Sequence, residues 1–192
     1  CWVTARWVVD GVQTQRELEI TWQPISLYFK NEPSEDNPRY PWYERSHNLL
    51  RVMESIRANE GDAAVQRYYW ELGRRIHHDR DFMNFELSDV LKSINVSADH
   101  HVAFENPEFD EEIRSRMDKG ISLAGDDIGT PIIGFEDEKG EPFGIFGPVI
   151  TRVPDKRQSL ELWDSVVRLT TTPGFWELKR TRTEKPEFGE RP

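Results

Sequence analysis

The stretch Gly129-Thr130-Pro131-Ile132-Ile133-Gly134-Phe135 reads as a β-strand entered through an X-Pro bond, and its place in the chain decides the fold class. β-Branched and aromatic residues dominate it, and glycine and proline bound it. Phe143-Gly144-Ile145-Phe146 supplies an antiparallel partner, with Asp137-Glu138-Lys139-Gly140 as the turn between them. Downstream, Leu160, Trp163, Val166, Val167 and Thr170 fall on one face of a helix. Beyond Pro173 the charged, proline-containing tail is expected to fray after at most one helical turn.

Upstream of the hairpin, residues 42–125 carry helical patterns throughout. Leu49, Val52, Met53 and Ile56 form one stripe, and Val65, Tyr68, Tyr69, Leu72 and Ile76 a second. Asn59-Glu60-Gly61-Asp62 separates them as a helix stop followed by an Asp cap. Leu87, Val90, Leu91 and Ile94 make a third helix, for which Asn84 is a candidate cap. Ser97 caps a short helix through Phe104, and Asn106-Pro107 opens a long one through Ile113, Met117 and Ile121.

At the start of the chain, Trp2, Ala5, Val9 and Val12 have helical spacing, and Gly11 fits a helix stop. Leu18, Ile20 and Trp22 alternate with Glu19, Thr21 and Gln23, which reads as a half-buried strand closed by Pro24. Residues 30–41, with three prolines and two asparagines, read as a loop. The order is helix, strand, helical block, strand, strand, helix. One further strand upstream of residue 1 would complete an α/β, thioredoxin-like (DsbA-like) arrangement with a large all-helical insertion. The domains expected are 1–41 and 126–192 for the thioredoxin-like part and 42–125 for the insertion.

The composition narrows the function. At 192 residues with seven tryptophans and an aromatic share of 11%, the chain has the large core-formers that disordered segments lack. Mean hydropathy is −0.72, and no run approaches the roughly 18 apolar residues of a membrane helix. A net charge of −10 repels phosphate backbones, so neither nucleic acid nor membrane is expected as a partner. The single cysteine, Cys1, excludes an intramolecular structural disulfide and a secreted disulfide scaffold. Cys1 also opens a helix, where free N–H groups and the dipole stabilise a thiolate. That points to redox chemistry, with a buried structural thiol as the plain alternative.

Thr130-Pro131 suits a cis proline beside such a thiol, and an ordinary trans proline at a strand edge fits the same residues. His77-His78 and His100-His101 are adjacent pairs that point to different helix faces, so no metal site is expected. Asp126-Asp127 read as a solvated turn, and Lys179-Arg180-Thr181-Arg182 as a solvated tail.

Several segments together resemble one family. CWVTARW (1–7), SLYFKNEP (26–33), GDDIGTPII (125–133), IFGPVITRVP (145–154), LWDSVV (162–167) and FWELKRTRTEKPEF (175–188) are similar to the actinobacterial mycothiol-dependent nitroreductases, a DsbA-like branch of the thioredoxin fold. The C-terminal half carries most of the specificity, and the helical block is less diagnostic. The family motif is Cys-Pro-Trp-Cys, whose last residue Cys1 matches; the first three positions are not in this sequence.

The resemblance implies a cytoplasmic enzyme that takes reducing equivalents from mycothiol, a thiol cosubstrate, with no bound cofactor. It implies reduction of disulfides or small nitro compounds through a mixed disulfide, with Cys1 as the resolving cysteine. It also implies mycothiol contacts at Asn31 and at either Tyr40 or Tyr43, with Thr130 and Pro131 facing the cysteines. Three other functions are open. They are a thiol-dependent isomerase of aromatic hydroxy acids on the same scaffold, an N-terminal-nucleophile amidohydrolase using Cys1, and a non-catalytic module that holds peptides at the Pro131 edge.

Overall fold

The computed structural model describes residues 1–137 and 139–192; Glu138, in the expected hairpin turn, lies outside the described residues. The chain forms two compact units, Cys1–Ile20 with Ile121–Pro192, and Thr21–Gly120. The architecture is α/β and mostly helical, with one two-stranded antiparallel sheet among the described residues.

In the sheet-containing unit, helix α1 (Trp2–Arg6) continues without a break through a π-helical stretch, Trp7–Gln13, into α2 (Thr14–Arg16). The helix ends at Glu17, which adopts a left-handed conformation with φ +50°. Gly11, expected as the stop, lies inside the helix instead. A β-carbon there would meet Ser159 Oγ at 2.8 Å, so the glycine allows α8 (Lys156–Thr170) to approach closely. Trp7, Val12, Trp163 and Val166 form the core of this contact. The Trp7 and Trp163 rings lie 5.9 Å apart, and Trp7 Nε1 donates to the Ser159 carbonyl at 3.2 Å. A buried Trp N–H is thus satisfied, so the ring contributes its area without an orphaned donor.

Strands β1 (Ile132–Glu136) and β2 (Pro142–Phe146) pair with Ile133 opposite Ile145 and Gly134 opposite Gly144. Alternation sends Ile133, Phe135 and Ile145 to the tryptophan core. On the other face Leu123 lies where β-carbons at Gly134 and Gly144 would be, within 2.9 Å of each. Asp137 organises the turn: its Oδ1 accepts from the N–H groups of Lys139 and Glu141. Helix α8 is capped by Asp155, whose carboxylate accepts from Gln158 N.

The strand expected over Leu18–Gln23 does not form; this segment has no regular secondary structure and belongs to no sheet among the described residues. A strand needs a ladder partner, and here the alternating apolar residues serve two different cores. Leu18 packs on the Trp7–Trp163 core of the sheet-containing unit, while Trp22 packs on the core of the helical unit, stacked on Tyr69 at 4.5 Å.

The helical unit begins at Thr21, where the expected insertion began at residue 42. A short helix, α3 (Leu27–Asn31), is capped by Ser26 and occupies the place expected for the start of a loop. Two long helices follow, α4 (Tyr40–Glu60) and α5 (Asp62–Gly73), the latter continuing through the π-helical stretch Arg74–His78. Gly61, with φ +80°, makes the break between α4 and α5. Asp62 does not cap α5. It is the first helical residue and pairs with Arg57, because Gly61 already occupies the cap position.

Helix α6 (Leu87–Ser93) starts at Glu86 rather than at a cap from Asn84, whose side chain bonds Asp81. Ser97 and Asn106 do cap the 3-10 segments Ala98–Glu105 and Pro107–Phe109, which lead into α7 (Asp110–Ser122). The core holds Leu49, Val52, Met53, Ile56, Val65, Tyr68, Val90 and Leu91, the stripes read from periodicity. No helix among the described residues is long and apolar enough to cross a membrane.

Candidate functional site

Cys1 is the N-cap of the helix that begins with α1, and its carbonyl accepts the first helical bond, from Ala5 N at 2.8 Å. Its side chain is exposed, and Sγ lies 3.0 Å from Thr130 Oγ1. The thiol donates to the hydroxyl in the neutral form. On ionisation the roles exchange: Thr130 rotates its O–H to donate to the thiolate, which strengthens the bond.

Thr130 is held there by the hairpin. The Thr130–Pro131 bond is cis, and Gly147 N donates to the Pro131 carbonyl at 2.8 Å, extending the ladder one pair beyond β1 and β2. The Gly147–Pro148 bond is also cis, which no reading of the residues anticipated. Thr4, in the first turn of α1, donates from Oγ1 to the Pro148 carbonyl at 3.0 Å. The helix start and the open end of the hairpin are therefore tied twice, at Cys1–Thr130 and at Thr4–Pro148. The arrangement presents an exposed sulfur with one hydroxyl and the helix N-terminus beside it.

The other expected contact residues belong to the helical unit. Asn31 is the exposed last residue of α3, followed by Glu32 in a left-handed conformation. Tyr40 begins α4, and its hydroxyl lies 3.1 Å from that of Tyr28, with the rings edge to face. That hydrogen bond, together with desolvation and nearby negative charge, pushes the Tyr40 phenol up to about 12. Tyr43, one turn further along α4, packs edge-on against Trp42. Its hydroxyl makes no hydrogen bond among the described residues.

Sequence reading missed two chains of Ser, His and carboxylate in the helical unit, each with a buried serine and histidine and a partly exposed carboxylate. In the first, Ser26 Oγ lies 3.0 Å from His47 Nδ1, and His47 Nε2 lies 3.0 Å from Asp110 Oδ1. In the second, Ser55 Oγ lies 2.8 Å from His100 Nδ1, and His100 Nε2 lies 3.0 Å from Glu60 Oε1. An ionised carboxylate accepts only, so in each imidazole Nε2 carries the proton and Nδ1 accepts from the serine.

These are struts rather than nucleophile relays. Ser26 is 1% exposed and His47 2%, so no substrate reaches the hydroxyl, which also caps α3. Desolvation is the largest influence on His47 and lowers its proton affinity, outweighing the attraction of Asp110. For Asp110, burial alone would raise the carboxyl, but the Arg51 hydrogen bonds and the neighbouring charges hold it below its ordinary value. Arg51 grips both Asp110 oxygens, at 2.6 and 2.8 Å, which spends the carboxylate's charge and leaves His47 neutral. The members of each chain lie on different elements, so no local spacing announces them.

His77 and His78 close the π-helical stretch Arg74–His78, and His101 Nδ1 lies 2.8 Å from the Ala98 carbonyl. Asp126 and Asp127 are exposed in a bend before the hairpin.

A family model described as "Rv2466c-like: Mycothiol-dependent nitroreductase Rv2466c" matches residues 1–180. The match takes in α1 with Cys1, the whole helical unit, and the hairpin with Thr130 and Pro131. It supports a mycothiol-dependent oxidoreductase in general terms. The chain belongs to the Rv2466c-like family of mycothiol-dependent nitroreductases.

Proposed function

We propose that the protein is a cytoplasmic thiol–disulfide oxidoreductase on a thioredoxin-like scaffold. It takes reducing equivalents from mycothiol and reduces disulfides or small nitro compounds through a mixed disulfide. The observation that carries this reading is the pairing of an exposed Cys1 sulfur with Thr130 Oγ1 at 3.0 Å, beside cis Pro131.

In the exchange step the Cys1 thiolate attacks one sulfur of a mixed disulfide. A new S–S bond forms as the old one breaks, and the departing thiolate takes a proton from solvent. The Thr130 hydroxyl hydrogen-bonds the thiolate before attack and is released as sulfur loses its charge. With a nitro compound, two thiols become one disulfide while the nitro group becomes nitroso and water leaves. Asn31 and either Tyr40 or Tyr43 serve as contacts for the cosubstrate. Asn31 is exposed, and the Tyr43 hydroxyl has its hydrogen-bonding capacity unused among the described residues.

The test is turnover of a fluorogenic disulfide and of a nitroaromatic probe, with mycothiol as sole reductant. The native protein should turn over both, and Cys1→Ser should lose at least the disulfide reaction. Equal turnover by Cys1→Ser, or equal rates with and without mycothiol, would overturn the reading.

A further inference from the structure

The residues that follow Cys1 in the first turn of α1, Trp2, Val3, Thr4 and Ala5, are all buried, and Thr4 has the one hydroxyl among them. A helical threonine commonly returns its hydroxyl to a carbonyl three or four residues back. Thr4 instead donates from Oγ1 to the Pro148 carbonyl at 3.0 Å, 144 positions away. Valine has nearly the same branched shape, so what threonine adds at this place is the bond.

Two further hydrogen bonds close a ring with it. Gly147 N donates to the Pro131 carbonyl at 2.8 Å, and Cys1 Sγ lies 3.0 Å from Thr130 Oγ1. Only short covalent stretches join the three bonds. Cys1 and Thr4 share one helical turn, Gly147 is bonded to Pro148, and Thr130 is bonded to Pro131. With so little chain between them, a shift at one bond is passed to the other two.

The C-terminal tail beyond the family match is pinned to the same loop further out. Glu187 N donates to the Thr151 carbonyl at 2.7 Å, and Glu184 takes the Thr151 hydroxyl and, at 2.6 Å, Arg152. Arg6 Nη1 donates to the carbonyls of Phe188 and Glu190, at 2.7 and 3.0 Å. The fraying expected of this tail therefore does not describe residues 184–190. Arg152 and Glu184 are each about half exposed, so solvent and salt weaken their pairing. Thr4 is buried and stands one turn from the sulfur, which makes its bond the firmer of the two holds on the loop.

We propose that Thr4 is a positioning residue of the thiol site: by holding the Pro148 carbonyl against the first turn of α1, it keeps the Thr130 hydroxyl at bonding distance from Cys1 Sγ. The inference rests on Cys1 being the reacting thiol, as proposed above.

The test is the pH profile of Cys1 alkylation by iodoacetamide, followed by mass spectrometry of the Cys1 peptide, which reads the thiolate without any turnover. It is run on the native protein, Thr4→Val, Thr4→Ser, Thr130→Val and the Thr4→Val/Thr130→Val double variant. In Thr4→Val the profile should move to higher pH, with alkylation roughly two- to three-fold slower near neutral pH. Thr4→Ser should follow the native profile, since it keeps the donor. The double variant should alkylate no more slowly than Thr130→Val alone, because Thr4 acts through that hydroxyl. Thr4→Ala takes the place of Thr4→Val in the cycle if the valine variant does not fold.

Equal slowing by Thr4→Val in the native and Thr130→Val backgrounds would overturn the proposal. So would a lowered melting temperature with an unmoved profile, which would make Thr4 a packing residue only, or a Thr4→Ser profile that matches Thr4→Val. The expected shifts in a protein showing no mycothiol turnover would sink the redox reading and leave the Thr4 assignment standing.

Discussion

Thr130 Oγ1 lies 3.0 Å from Cys1 Sγ, across 129 positions of sequence. A hydroxyl donor on a thiolate is a charge-assisted bond, stronger than the S–H bond of the neutral thiol, so its loss falls more heavily on the ionised form. Thr130→Val should therefore slow Cys1 alkylation at neutral pH by roughly three- to ten-fold, the exposed position keeping the effect well below that of a buried charged bond. Thr130→Ser should retain most of the native rate. An unchanged rate in Thr130→Val would show that the hydroxyl does nothing for the thiolate.

Gly11 makes a second prediction, in which two effects oppose. Glycine to alanine inside a helix is ordinarily stabilising by about 1 kcal/mol. Here the new methyl would meet Ser159 Oγ at 2.8 Å and Cβ at 3.0 Å. Ser159 is fully buried and donates to the Pro154 carbonyl at 3.1 Å, so turning its hydroxyl away breaks that hydrogen bond and still leaves its Cβ against the new methyl. Overpacking of this kind costs about 1–3 kcal/mol, and Gly11→Ala should lower the melting temperature. Gly11→Ala combined with Ser159→Gly should recover part of the loss, which separates the clash from any intrinsic effect.

Acid should loosen the helical unit in two stages. His47 has a lowered proton affinity when folded, so the unfolded chain binds the extra proton first as pH falls. Stability is then full above about pH 6.5 and declines below it, toward the lower folded value. Asp110, also depressed, adds a second decline below about pH 4. The groups facing His47 are Asp110, Arg51 and Arg114, with the last two opposing its protonation. Urea unfolding followed from pH 8 to 5 should show this slope; His47→Gln should lower stability throughout and remove only the His47 share, the rest belonging to His77, which burial pushes down to about 4.

Tyr40 and Tyr43 compete for one role, and their surroundings distinguish them. The Tyr40 hydroxyl is shared with Tyr28, while that of Tyr43 has no hydrogen bond among the described residues. If a tyrosine hydroxyl contacts mycothiol, Tyr43→Phe should raise KM for mycothiol several-fold with little change in kcat, and Tyr40→Phe should raise it less. The reverse order would assign the contact to Tyr40. Separately, ultraviolet titration should find phenols near pH 12 from Tyr40 and from buried Tyr69, of which only the Tyr40 share returns toward 10 in Tyr28→Phe.

What the amino-acid order determined by itself was local. Ser97 and Asn106 cap the segments they precede because a short polar side chain reaches an N–H two residues on without help from the rest of the molecule. The helical stripes of α4 and α5 and the Ile132–Phe146 hairpin were legible for the same reason, as periodicity and turn chemistry act within a few residues. The segments around Cys1 and Thr130-Pro131 also carried enough identity to point to the family.

Tertiary structure decided whatever depends on a partner far away in sequence. Gly11 ceased to be a helix stop because Ser159 needed the space. Leu18–Gln23 alternates like a strand, yet its two ends are drawn into different cores and no ladder partner completes it. The Ser–His–carboxylate struts, the Cys1–Thr130 contact and the pinned tail each join groups that no spacing rule connects. A lone cysteine at a helix start is chemically ambiguous in sequence. Only folding sets the Thr130 hydroxyl against it.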